Sequence, residues 1–413
     1  MRASIPRLVA RTVEIDDPGP LLDLLTDDAP MTWIRRGEGF VTLGRAASFR
    51  SAGKARFDEA SAWWHEVVRV AAVADEVGLP GTGLISLASF AFADSPGDSV
   101  MVVPAVVVGR RGDRYWLTTI GESPVPAPTL EPQPTPPAPV DLSYADGSLS
   151  GAEWEGVVWE AVLLLNAGDL DKVVLARDLI ATAAQPIDVR WPLRRLGASY
   201  DMCWTFHVDG LFGATPELLV RREKGLVTSR VLAGTIRRTG NDEHDLRLAA
   251  TLARSSKDLE EHEYAVRSVA DALAPYCSSM NVPEAPFVLH LPNVMHLATD
   301  VAGVAHDSGA TVLDLAAALH PSAAVGGTPT KLAVELIAEI EGMDRGRYAG
   351  PVGWIDAHGD GEFGIALRSG LLEGNQVRLF AGCGIVAGSD PEAELAESQA
   401  KFVPVRDSLE ARG

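Results

Sequence analysis

Apolar positions along the chain change their period several times, and those changes mark out its elements. Residues 41–49, 84–92, 100–109 and 114–120 are rich in Val, Ile, Leu, Phe and Thr and read as strands, with alternation in LISLASFAF. Between them, residues 57–77 carry Ala60, Trp64, Val67, Val68 and Ala71 at helical spacing. His65 on that helix reads as structural. Residues 121–140 are proline-rich and predict an extended surface loop. Beyond them, 151–167 predicts a helix and KVVLARDLIA (172–181) an apolar strand. Residues 202–208 and 211–220 read as adjacent strands, 225–240 as a third, and 242–274 as two helices. Strands follow at 287–291 and 295–305, then helices at 311–319 and 331–341. Residues 348–356, 363–373 and 376–382 predict a closing antiparallel meander. Strands interspersed with helices, without strict βαβ alternation, favour an α+β fold.

The stretch AGCGIVAGSDPEAELAESQAK (381–401) combines a glycine-rich turn with a helix start. Ser389 with Glu392 three residues on fits a capping box, and Pro391 suits the first turn. On the helix, Glu394, Glu397 and Lys401 share one face. That face reads either as a solvated Glu–Lys pair or as part of a metal and anion site. A second acidic helix, SSKDLEEHEYAV, places Asp258, Glu261 and His262 together. Four carboxylates on two helices suit a hard divalent ion. Lys172 opens an apolar strand, and Glu217 lies between a turn and an apolar run. In one cavity, burial would disfavour the charged form of each and make them a base and acid pair. Arg368 sits within an apolar run, where either a bound carboxylate or a structural Glu would balance it. The glycines at 234, 326, 327, 382 and 384 offer backbone donors. Gly382-x-Gly384-x-x-x-Gly388 has the wrong spacing for a dinucleotide fingerprint and no βαβ unit, and GGTPTK is not a P-loop.

Composition narrows the function classes. The 413 residues are 46% hydrophobic, enough for a large core, and carry a formal charge of −20. That balance speaks against nucleic acid or an anionic membrane as partner. An anionic substrate would need local cations or a metal. The N-terminal residues lack the apolar run of a signal peptide, and no stretch has the length of a membrane span. Cys203, Cys277 and Cys383 show no metal or disulfide spacing and read as free buried thiols, so the chain is expected to be cytoplasmic.

Nine segments, in order, resemble the chorismate-utilising enzymes, the family of isochorismate, salicylate, anthranilate and aminodeoxychorismate synthases. They are KVVLAR, GATPELLV, LAGTIRR, SSKDLEEH, HL (296–297), HPSAAVGGTP, YAGPVGW, IALRSG and the stretch at 381–401. The resemblance covers residues 150–410 as the catalytic region, with 1–120 as a variable N-terminal part of the same fold. It implies a single large domain with a two-halved, sheet-rich core, helices outside, and the site in the cleft. It also implies Mg²⁺ dependence, a small-molecule substrate (chorismate) and a monomer. Carried over, Glu261 and Glu397 match direct metal ligands, and Asp258 and Glu394 match carboxylates that hold metal-bound water. Arg368, Tyr348, Lys401 and the Gly382 backbone match groups that bind the pyruvyl carboxylate. Lys172 matches the base that activates water, and Glu217 the acid for the departing C4 hydroxyl. Gly234, with Thr235, lies beside that hydroxyl; His296, Ala324 and Val325 match residues lining the ring pocket. Relatives that use ammonia usually carry Gln in place of Lys172, so Lys172 implies water as nucleophile. The turn at 322–327 looks like that of the isochorismate synthases, with salicylate formation as the alternative.

Overall fold

The computed structural model describes residues 5–168, 170–306 and 309–411, apart from the side chains of Lys257 and Glu261. Its strands join through one long shared strand, Ser99–Arg111, which hydrogen-bonds to three neighbours. From it, one sheet runs through Glu38–Ser51, Met31–Arg35, Trp204–Val208, Leu211–Thr215, Ser369–Glu373 and Gln376–Ile385 to Lys172–Thr182. A second runs through Ile85–Ser89, Pro351–Asp356, Gly361–Ile365, Leu218–Glu223 and Leu226–Arg237 to Val294–Ala305. The inner strands are buried on both faces, and all five residues of Ile85–Ser89 are inaccessible. The alternation in LISLASFAF therefore marks no solvent face: Ser86 and Ser89 are as buried as Ile85 and Leu87.

The helices pack outside these sheets. They are α1 (Arg56–Val70), α2 (Gly151–Ala167), α3 (Arg190–Ser199), α4 (Asp242–Leu252), α5 (Ser256–Leu273), α6 (Val312–Leu319), α7 (Thr330–Ile340) and α8 (Pro391–Leu409). Helix α2 starts at a capping box in which Ser150 and Glu153 satisfy each other's backbone N–H, and Gly168 ends it in the left-handed region at φ 97°. Helices α2 and α8 lie together on the sheet that contains Lys172, whereas α5 covers Leu226–Arg237 and Val294–Ala305. Fold and class agree with the α+β expectation.

Several local expectations are corrected, among them the 211–220 run, which is two strands, Leu211–Thr215 and Leu218–Glu223. The helix read over 57–77 ends at Val70; Ala72–Asp75 instead pairs in parallel with Val9–Thr12 as an exposed edge. The 363–373 run is two strands, because the chain crosses from the second sheet to the first at Ala366–Arg368. The expected meander is therefore two separate hairpins. Arg368 consequently lies in the crossing, not within a strand, and holds φ 48°. The cap of α8 is Asp390, whose Oδ1 accepts from Ala393 N at 2.9 Å, so Ser389 is displaced from that role. Beyond Gly121, which ends the strand Arg114–Gly121, no helix or strand forms up to residue 140, although Gln133 N donates to Asp23 O and Arg194 reaches Gln133 O and Thr135.

Gly327 joins this framework to the site. It pairs with Val173 at φ 141°, and a Cβ there would stand 2.2 Å from the Lys172 carbonyl oxygen and 2.7 Å from Ala333 Cβ. Both contacts are too short for any side chain. Gly327→Ala is expected to destabilise the fold by at least about 2 kcal/mol, read as a lower thermal midpoint. An unchanged midpoint would mean that this contact is not maintained in solution.

Candidate active site

One cavity of about 260 Å³ collects Lys172, Glu217, Gly234, Thr235, Asp258, His296, Ala324, Val325, Tyr348, Arg368, Gly382, Glu394, Glu397 and Lys401. All the site residues carried over from the resemblance are there except Glu261, whose side chain lies outside the described residues; of the other candidates, His262 instead faces Ala233 O and Thr299 Oγ1, and Gly326 and Gly327 do not line the cavity. His65 is exposed on α1 and takes no part. The cavity draws on both sheets: Lys172 and Gly382 come from the first, Gly234, Thr235 and His296 from the second. Glu217 and Arg368 come from two places where consecutive strands cross between them. Irregular backbone at those crossings lets side chains turn inward instead of alternating.

Glu217 is fixed by its crossing. Its N–H donates to Thr215 Oγ1, which itself donates to Ile365 O, and its carbonyl accepts from Ile365 N. Burial pushes its carboxyl up to about 7, against the Leu232 N–H and the charges of Lys172, Arg368 and Lys401. An acid of that strength is half protonated at neutral pH, so a step needing the proton slows as pH rises above about 7. The linkage to stability has the same sign. Protonation favours the folded state, so this stability is full below about 4.5, the ordinary value, and is lost as pH rises towards about 7. The difference amounts to about 3 kcal/mol. Glu217→Gln should therefore be more stable than the wild type at pH 8, by up to that amount. Equal thermal midpoints at pH 5 and pH 8 in both proteins would contradict the shift.

His296 faces Thr235 Oγ1 through Nδ1 at 2.9 Å and Arg368 Nη2 through Nε2 at 3.4 Å. The guanidinium donates, so Nε2 accepts and Nδ1 carries the proton. Burial first, then Arg368 and Lys401, hold its pKa well below the usual range and keep the ring neutral. Arg368 forms no ion pair among the described residues, so its charge is directed at the cavity. Tyr348 stacks on Phe380 at 5.0 Å, and its hydroxyl would lie 3.1 Å from a Cβ on Gly382, so glycine permits that approach. Burial raises the tyrosine to about 12 and keeps it a hydrogen-bond donor.

The carboxylate end is built on α8. Lys401 Nζ binds Glu397 Oε1 at 2.7 Å and donates to Gly382 O at 2.8 Å. The i,i+4 pair expected of a surface helix is present, but it lines the cavity. Burial works to raise the Glu397 pKa, yet Lys401 and Arg368 outweigh it and lower it. Ser389 Oγ, freed from capping, donates to Glu394 Oε1 at 2.8 Å. The Glu394 and Glu397 oxygens and Cys383 Sγ lie within 4.8 Å of one another. The thiol points to the Glu394 carbonyl at 3.4 Å, which leaves oxygens as the donors that suit a hard divalent ion. All three cysteines are free and buried. Asp258 sits close to Gly234, whose φ of 78° follows a bulge in its strand. Sequence reasoning missed Ser389 as an orienting group and Arg345 as a cavity residue. Ser389 was assigned to the cap. Arg345 lies in EGMDRGRYAG, which has the composition of an exposed turn.

The chain belongs to the chorismate binding enzyme family, whose profile matches residues 128–410. It is 40% identical over 261 residues to isochorismate synthase MenF of Bacillus subtilis, a match that covers 62% of this chain and 55% of that protein. Thus the chain matches just over half the length of that relative. Similarity to the salicylate biosynthesis isochorismate synthase of Pseudomonas aeruginosa is 34% and extends over 99% of this chain and 91% of the relative. The structure of MenF, the menaquinone-specific isochorismate synthase from Escherichia coli, superposes with a TM-score of 0.81 at 26% identity, covering 98% and 96% of the two chains. Among the described residues, no helix is long and apolar enough to cross a membrane.

Proposed function

We propose that this chain is an isochorismate synthase, a Mg²⁺-dependent isomerase that converts chorismate to isochorismate in the cytoplasm as a monomer. The observation that carries the reading is the shared cavity. It sets Lys172 and a Glu217 whose carboxyl is raised to about 7 beside a set of cations and carboxylates. Substrate carboxylates match those cations. Arg368, Tyr348 and Lys401 hold the pyruvyl carboxylate by charge and hydrogen bonds. Beside Lys401, Glu397 together with Glu261 would hold Mg²⁺ directly, and Asp258 and Glu394 through water. The ion would supply positive charge to the ring carboxylate.

Lys172 takes a proton from a water that attacks C2. The ring double bonds shift, and Glu217 gives its proton to the C4 hydroxyl, which leaves as water. One water enters and one departs, so no redox partner is required. Neutral His296 and Thr235 line the ring without adding a charge that would compete with Glu217. The small side chains of Ala324 and Val325 leave room for the ring. Isochorismate is the product required by both menaquinone and salicylate-type routes, in which the named relatives take part. Incubating the protein with chorismate and Mg²⁺ and separating the products tests the reading. Isochorismate is expected; salicylate with pyruvate as the main products would instead make the chain a salicylate synthase.

A further inference from the structure

The strand that carries Lys172 has an incomplete edge. One side pairs throughout with Gln376–Ile385. On the other side, Gly327–Thr328 covers residues 172–173 and Ser143–Asp146 covers 179–182. Between those two partners no strand lies alongside among the described residues. Buried backbone groups there require partners, and side chains supply them. Arg345 Nη2 donates to Val174 O at 2.7 Å, Glu341 Oε2 accepts from Ala176 N at 2.8 Å, and Trp154 Nε1 donates to Ala176 O at 3.0 Å. Arg345 and Glu341 also bind each other as a fork, Nε to Oε1 at 2.7 Å and Nη2 to Oε2 at 2.5 Å. Both side chains are at most 2% exposed. Arg345 Nη1 reaches further, to Val325 O at 2.9 Å, and its guanidinium stacks 4.1 Å from the Phe92 ring.

We infer that Arg345 and Glu341 are positioning residues that replace the missing strand partner and fix the Lys172 strand against the turn at 322–327. This rests on the proposed function, since Lys172 is taken there as the base and Val325 as a wall of the ring pocket. A planar fork is needed: it serves two carbonyls and a carboxylate at once, which a single ammonium does not. Merely filling the space would not link these three segments. A buried pair kept only for stability would show its loss in unfolding, not in the chemical step.

Arg345→Lys and Glu341→Gln, each in the full-length chain, test this with two readouts. In the first, kcat for chorismate is expected to fall about a hundredfold, the cost of a base displaced by about 1 Å. KM should change less than about threefold, because Arg368 and Lys401 are held by other elements. In the second, amide exchange at residues 173–176 and 324–326 is expected to quicken at least about tenfold while the rest of the folded protein is unchanged. Wild-type kcat, KM and exchange in a folded variant would overturn the inference. If the wild type itself leaves chorismate unconverted, the functional reading fails, and local exchange alone decides whether the pair fixes the strand. Should Arg345→Lys not fold, Glu341→Gln, which keeps an acceptor for Ala176 N–H, carries both readouts.

Discussion

Replacing Lys172 by alanine is expected to lower kcat by about a hundred to ten thousandfold, the usual contribution of a positioned base, while the far-ultraviolet dichroism of the protein stays the same. Lys172 is 8% exposed at the head of its strand, and the backbone on either side is held independently of its side chain. Asp171 N donates to Thr328 O and Val174 N to Gly326 O, so the strand end keeps its place when the amine is removed. KM should change little, since the carboxylate anchors Arg368 and Lys401 belong to other elements. The decline of the remaining rate with rising pH should persist but move to higher pH, because Glu217 stays buried while the Lys172 charge that lowers its carboxyl is gone. A variant keeping more than about a tenth of the wild-type rate would exclude Lys172 as the base.

Removal of the divalent ion should have an effect of similar size. Chelation is expected to abolish turnover and added Mg²⁺ to restore it. The two α8 carboxylates should differ in direct Mn²⁺ binding, followed by electron paramagnetic resonance without substrate. Glu397→Gln is expected to weaken binding by more than about a hundredfold, as loss of a direct ligand. Glu394→Gln should cost about ten to a hundredfold, as loss of a group acting through metal-bound water. Ser389→Ala should weaken it less, since it frees Glu394 from its 2.8 Å hydrogen bond but leaves the carboxylate in place. Equal losses at 394 and 397 would contradict the division into direct and outer ligands. Binding unchanged in both would place the ion elsewhere.

Much of the site was legible because its chemistry lies at element ends that punctuation marks. Ser150 and Gly168 bound α2, and residues 173–176 after Lys172 are an uninterrupted apolar run. The face shared by Glu394, Glu397 and Lys401 follows from helical spacing alone. Less legible were features decided by partners distant in sequence. Nothing in FGIALRSGLLE shows that residues 366–368 cross between sheets; the break is imposed by pairing with Leu218–Glu223 on one side and Leu211–Thr215 on the other. Ser389 and Asp390 are both good caps, and only the geometry of the preceding turn decides for Asp390. Helix α3 contains Pro192 and Gly197, which mask its period, yet Leu193 and Leu196 bury one face of it. The edge strand Ala72–Asp75 continues the apolar period of α1, so the spacing alone does not separate them. Arg345 shows the limit most clearly, because a buried fork and a surface turn share the same local composition.

The central claim is that water attacks C2 while the C4 hydroxyl departs, with Lys172 and Glu217 moving the two protons. Turnover of chorismate with Mg²⁺ in oxygen-labelled water, followed by mass spectrometry of the isochorismate formed, tests this most directly. The account predicts one solvent oxygen in each product molecule, located at the C2 hydroxyl. Product that retains the substrate's own oxygen there would contradict it.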